Sequence, residues 1–169
     1  MLLRRGSADG LAPIVTRKSA ALLPFRRTSD GVEVLLVHPG GPYWAAKDDG
    51  VWSLPKGEYD DREEPLDAAR REFSEETGFV ATGPFESMVS VRTASGKTII
   101  AWAFRGDFDP RGLRSNTFRM EWPPRSGAQQ DFPEIDRGAW YSLPDARRKL
   151  AEAQHPFLDA LERHPGVSG

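Results

Sequence analysis

The chain has 169 residues and a mass of 18.8 kDa, with 38% hydrophobic and 28% charged residues, the make-up of one soluble domain able to bury a core. A formal net charge of −2 gives no general attraction to nucleic acid or to an anionic membrane, and a mean hydropathy of −0.54 without a long apolar run excludes a helical membrane span. Cysteine is absent, which removes disulfides, thiolate zinc sites and cysteine nucleophiles, and fits a reducing, cytoplasmic setting.

Met1–Thr16 carries Arg4 and Arg5 but no continuous apolar stretch after them. It is expected to be a loose tail rather than a signal peptide, with the folded domain over 17–164. Lys18–Arg26 and Val32–His38 are apolar, β-leaning runs separated by Thr28-Ser29-Asp30-Gly31, a hairpin-turn composition. The Leu/Val centre of the second run predicts a strand buried on both faces. Pro39–Gly50 is a Gly/Pro/Asp loop carrying Tyr43 and Trp44, and the short Val51–Leu54 run leads into Pro55-Lys56-Gly57.

Pro65–Thr77 is predicted to be a helix, with Pro65 in its first turn, Gly78 just past its end, and Leu66, Ala69 and Phe73 on one core-facing stripe. Phe85–Arg92 and Thr98–Phe104 read as strands joined through Ala94-Ser95-Gly96. Asp107–Asp131, polar and rich in Gly and Pro, reads as a long surface loop. Trp140–Ser142 closes the sheet, and Pro144–Leu150 and Pro156–Arg163 form C-terminal helices. The predicted fold class is α+β, a mixed β-sheet flanked by helices in an α/β/α sandwich.

The chemistry concentrates near the end of the central helix. Glu72, Glu75 and Glu76 stand at i, i+3 and i+4, on one side of the helix, about a quarter turn from the core stripe. Like charges four residues apart at the negative end of the helix dipole cost a few tenths of a kcal/mol each, and more when partly buried. A divalent cation reverses the sign of that cost. Carboxylates without His or Cys make a hard oxygen site suited to Mg²⁺ or Mn²⁺ rather than zinc.

The flanking residues sharpen this reading. Gly57, Glu63, Arg71, Glu72, Phe73, Glu75, Glu76, Gly78 and Phe79 match G-x5-E-x7-R-E-U-x-E-E-x-G-U, where U is bulky and apolar. This is the Nudix box, and the chain resembles the Nudix hydrolase family at every fixed position. A chance match has a probability on the order of 10⁻⁷ in a chain this long. The resemblance implies that Glu72, Glu75 and Glu76 are metal ligands, joined by the backbone carbonyl of Gly57, which is read as a loop residue. Arg71 can reach Glu75 one turn on, and Glu63, to orient the carboxylates, and the resemblance implies that Glu76 or Glu134 serves as the catalytic base. Glu63 is either a further residue of that surrounding shell or an occasional metal ligand. The implied reaction is Mg²⁺-dependent substitution by water at phosphorus, with a carboxylate accepting the proton.

For the substrate, Lys56 and Lys97 are phosphate candidates, with Arg26, Arg92 and Arg119 as weaker ones. Tyr43 and Trp44 are candidates for stacking a base, ahead of Trp52 and Trp102. Trp52-Ser53-Leu54-Pro55-Lys56-Gly57 and Gly96–Trp102 resemble the diadenosine tetraphosphate hydrolase branch, although Ala101 stands where that branch has a tyrosine. The expected substrate is a nucleoside polyphosphate or dinucleoside polyphosphate. The alternatives are an ADP-ribose, nucleotide-sugar or damaged-triphosphate pyrophosphatase, or a non-catalytic nucleotide-binding module. The expected partner is a small nucleotide, with no membrane and no nucleic acid; the oligomeric state stays open.

Overall fold

The computed structural model describes residues 17–168, and the tail expected over Met1–Thr16 lies outside them. In chain order the elements are β1 (Lys18–Thr28), β2 (Gly31–Pro39), β3 (Lys56–Tyr59), α1 (Pro65–Thr77), β4 (Glu86–Arg92) and β5 (Thr98–Arg105). Then follow β6 (Thr117–Glu121), β7 (Gln129–Pro133), β8 (Ile135–Ser142), α2 (Leu143–Lys149), α3 (His155–Glu162) and the short α4 (Pro165–Ser168). The main sheet runs β4-β5-β1-β2-β8, with β3 added alongside β1. β1 and β5 are parallel and the remaining pairs are antiparallel, so the sheet is mixed, as expected.

β1 shows why helices cover both faces. Its period-two alternation sends Ala21, Leu23 and Phe25 into a core with Leu36, Trp52, Phe157 and Leu158. Ala20 and Leu22 point the other way, against Ala68, Ala69, Phe73 and Phe104. Each buried Leu or Phe contributes about 1.5–3 kcal/mol, which holds α1 to one face and α2 and α3 to the other. The result is the predicted α/β/α sandwich. β2 is buried from Val34 to His38, in keeping with a strand covered on both sides.

Three local readings change. Gly57 is not a loop residue but lies in β3, whose polar sequence KGEY gives no alternation to detect; it pairs with Ala20 of β1. The closing strand begins at Ile135 rather than Trp140, its first half disguised by Asp136-Arg137-Gly138. Asp107–Asp131 is no plain loop. It contains a 3₁₀ turn at Pro110–Gly112 and most of the β6–β7 hairpin, in which Phe118 pairs with Phe132. Only one face of that hairpin is apolar and both strands are short, so its pattern is weak in sequence.

This segment completes α1. The helix has no base in its last turn and ends at Gly78 with φ of 76°, a left-handed value that glycine adopts without steric cost. The Arg114 N–H donates to the Thr77 carbonyl at 2.8 Å, and the Asn116 N–H donates to the Glu75 carbonyl at 2.8 Å. Two carbonyls at the acidic end of the helix thus receive donors from a distant part of the chain. Phe108 stacks on Phe79 with centroids 4.8 Å apart and also packs on Phe73, fixing the start of the segment.

Candidate active site

Four polar residues at the end of α1 and one glycine in β3 form a single packed unit. A Cβ built on Gly57 would overlap the Glu72 carboxyl group, so a glycine is required where that acid folds against β3. The Lys56 N–H donates to Glu76 Oε2 at 3.1 Å. Arg71 donates from Nε and Nη2 to both oxygens of Glu63 at 2.9 and 2.8 Å, a bidentate pair. Its Nη1 reaches Glu72 Oε1 at 2.9 Å and Glu75 Oε2 at 3.1 Å. Expected from sequence were its contacts with Glu75 and Glu63; the bond to its own neighbour Glu72 was not anticipated.

The electrostatics follow from crowding. Burial, reinforced by Glu72 and Glu134, pushes the Glu76 carboxyl up to about 8 against the pull of Lys56. Burial also raises Glu72, with Arg71 opposing the rise. Glu134 is raised by loss of hydration and by Glu75 across the cleft. Lys56 is lowered by burial and by Lys97 beside it, although Glu76, Glu58 and Glu72 pull the other way. Arg71 is raised by its bonds to the three glutamates. Carboxylates held this close, with so little compensating positive charge, form a site that favours a cation.

Among the described residues no three acidic or imidazole groups are close enough to cage a metal ion as they stand. One oxygen of Glu72 and one of Glu75 accept from Arg71 Nη1. The donor chemistry nevertheless fits a hard divalent ion: Glu72, Glu75 and Glu76 offer only oxygen, and the Glu72 carboxyl group lies against the Gly57 backbone in the space a Cβ would fill. Glu134 is brought to the same cleft. Its N–H donates to the Asn116 carbonyl at 2.8 Å, and its carbonyl accepts from the Gly40 N–H at 2.8 Å.

The other predicted positions divide. Lys97 comes within 3.5 Å of Glu58 and stands beside Lys56, so the two phosphate candidates meet. Tyr43 and Trp44 are 57% and 40% exposed, available to a ligand. Tyr43 meets Trp122 of the hairpin edge-on at 5.4 Å, and Lys47 lies over the Trp44 ring at 4.9 Å. Trp52 is core, and Ala101 points into the same core. Trp102 packs on the α1 side of the sheet. Arg26 is taken up by Glu33, Asp107 and the face of Trp140, and Arg119 by Asp131. Arg92 lies exposed at the end of β4. The sequence offers the segment Met120–Pro124 as a further wall of the pocket, and Trp122 within it does meet Tyr43, whereas Asn116 gives no sign in sequence, because it links Glu75 and Glu134 through its backbone.

An acid-bearing helix end locked on a glycine strand, inside this sandwich, defines a protein of the Nudix hydrolase class. The chain belongs to the NUDIX domain family, whose profile matches residues 15–161. It is 29% identical over 162 residues to an RNA pyrophosphohydrolase of Agrobacterium fabrum, covering 79% of this chain and 94% of that one. To the RNA pyrophosphohydrolase of Bartonella henselae it is 42% identical over 67 residues, 33% of this chain and 37% of that one; this match spans little more than a third of the relative. A solved C. elegans Ap4A hydrolase binary complex shares the fold with a TM-score of 0.57 at 20% identity, covering 83% of this chain and 92% of that one.

Proposed function

We propose that this protein is a pyrophosphohydrolase of the cytoplasm that cleaves a phosphoanhydride bond in a nucleoside polyphosphate or dinucleoside polyphosphate, with Mg²⁺ or Mn²⁺ as cofactor. The observation that carries the reading is the Glu72 carboxylate seated on Gly57 with Glu76 buried beside it. Glu72, Glu75, Glu76 and the Gly57 carbonyl would hold the ion. Once bound, such an ion offsets phosphate charge and makes water easier to deprotonate. Arg71 fixes Glu72 and Glu75 from behind. Glu134 faces Glu75, and among the described residues its carboxylate makes no hydrogen bond or ion pair; it accepts the proton of the attacking water. Lys56 and Lys97 receive phosphate oxygens, while Tyr43 and Trp44 present aromatic faces to a base.

A second reading takes the 5′ end of an RNA as substrate. It is favoured by the names of the two bacterial relatives and by the contact between Tyr43 and Trp122, which extends the aromatic surface onto the hairpin. A substrate panel with product identification separates these. Diadenosine tetraphosphate would yield ATP and AMP, a nucleoside triphosphate pyrophosphate, ADP-ribose AMP and ribose phosphate, and a 5′-triphosphate RNA a 5′-monophosphate RNA. Binding without turnover of any of them, in Mg²⁺ or Mn²⁺, would sink the proposal in favour of a non-catalytic module.

A further inference from the structure

His38, at the end of β2, is fully buried and belongs to none of the groups assigned above. Its Nδ1 lies 2.8 Å from Asp136 Oδ1 and its Nε2 lies 2.7 Å from the Lys47 carbonyl oxygen. Both partners offer oxygen atoms, one from a carboxylate and one from a backbone carbonyl, so the two ring nitrogens link two separate stretches of chain. Trp52 packs against it edge-on at 5.2 Å and holds its orientation. Each arm ends on a segment of the proposed site. Asp136 follows Glu134 by two residues in β8. Lys47 closes the turn containing Trp44, donating its N–H to the Trp44 carbonyl at 2.9 Å and placing its amine over that ring.

The same two segments also meet along the backbone, where His38 pairs with Arg137, Pro39 with Ile135, and the Gly40 N–H donates to the Glu134 carbonyl at 2.8 Å. The far end of the loop is tied elsewhere, through Asp48 and Asp49 to Lys149 and Arg148 of α2. The stretch carrying Tyr43 and Trp44 therefore takes its position from Gly40 on one side, from His38 on the other, and from the contact of Tyr43 with Trp122 between them.

We infer that His38 is a positioning residue that sets the aromatic loop and the Glu134 segment in register, one with each ring nitrogen. The inference rests on the proposed roles of Tyr43, Trp44 and Glu134. Two substitutions in the full chain separate the arms. His38→Asn keeps a donor near the Nδ1 position, for Asp136, and gives up Lys47. His38→Gln keeps one near Nε2, for Lys47, and gives up Asp136. His38→Asn is expected to raise KM about tenfold with kcat within about twofold, and His38→Gln to lower kcat about tenfold with KM within about twofold.

Amide hydrogen exchange reads the same split without turnover. Residues 40–47 should exchange about tenfold faster in His38→Asn only, and residues 134–137 in His38→Gln only. Any other pattern overturns the inference, including equal changes in both segments or a parallel loss of kcat and KM that tracks Tm. The underlying site reading fails separately: Tyr43→Ala with an unchanged KM removes the substrate role of the loop while leaving the exchange split in place.

Discussion

The last turn of α1 and the Pro39–Gly50 loop border the same glutamate, Glu134, yet they are built in opposite ways. In α1, helical spacing alone puts Glu72, Glu75 and Glu76 on one side, and Arg71 adds cross-links within a few residues. Two long-range partners complete the unit: β3, with Gly57 and the Lys56 N–H, and the segment after β5, whose Arg114 and Asn116 N–H groups meet the last carbonyls of the helix. The loop has short internal turns, from Gly41 to Trp44 and from Trp44 to Lys47, but no helical repeat. Its aromatic rings take their places from Trp122 and, through His38, from Asp136, residues far along the chain. The proposed reaction chemistry thus gets its spacing from local periodicity, whereas the surface proposed to select a substrate gets its shape from distant contacts that can vary independently.

The sharpest way to break this contrast is at its local pole. Glu76→Gln preserves size and an acceptor for the Lys56 N–H but removes the charge. It is expected to lower kcat on the order of 10²–10⁴-fold while leaving Tm unchanged or higher. Steady-state kinetics and thermal melting would check this, and an equally active variant would take this helix out of the chemistry. Gly57→Ala comes next. The added methyl meets the Glu72 carboxyl group, so the acid must move by an ångström or more. Turnover should fall about 10²-fold through misplacement, with a destabilisation of about 1–3 kcal/mol. Full activity in this variant would mean that Glu72 need not sit on β3.

The pH dependence follows with a smaller effect. Glu76 keeps its proton up to about 8, against an ordinary value of 4.5. Between those values the folded metal-free protein holds a proton that the unfolded chain has released, so folding stability falls as pH rises from the lower value through the higher. A divalent ion must displace that proton. The half-saturating Mg²⁺ concentration should therefore rise by up to about tenfold per pH unit below about pH 8. Melting in EDTA across this range, paired with Mg²⁺ titrations, measures both trends. Glu76→Gln should flatten them, and an unchanged slope in that variant would assign the titration to another group.

The same division decides what could be read from sequence. α1, its stripe and its acids were legible because a period of about 3.6 residues is written into contiguous positions. The sandwich followed from the order of apolar runs. β3 was not legible, since KGEY has no alternation and pairs only because β1 runs past it. The hairpin in the 107–131 segment stayed hidden for a related reason: Phe118, Met120 and Phe132 are its half-buried side chains, and the rest of both strands faces water. Asn116 gave no signal at all, because its backbone, not its side chain, links Glu75 to Glu134.

The weakest expected effect tests the distant pole. Trp122 and Tyr43 meet through their rings alone, with both residues at least partly exposed, so removing either ring costs little folding energy. If a base stacks on this surface, Tyr43→Ala and Trp122→Ala should each raise KM about three- to tenfold at unchanged kcat, within the range typical of one base–aromatic contact. The pair is informative together. Tyr43 belongs to the loop and Trp122 to the hairpin, so their shared contact predicts that the double variant costs less than the product of the single effects. Strict multiplicativity would mean that the two rings serve a ligand separately. An unchanged KM in both would move the base elsewhere and leave the helix end, with its acids and Gly57, as the only part of the cleft that a substrate must touch.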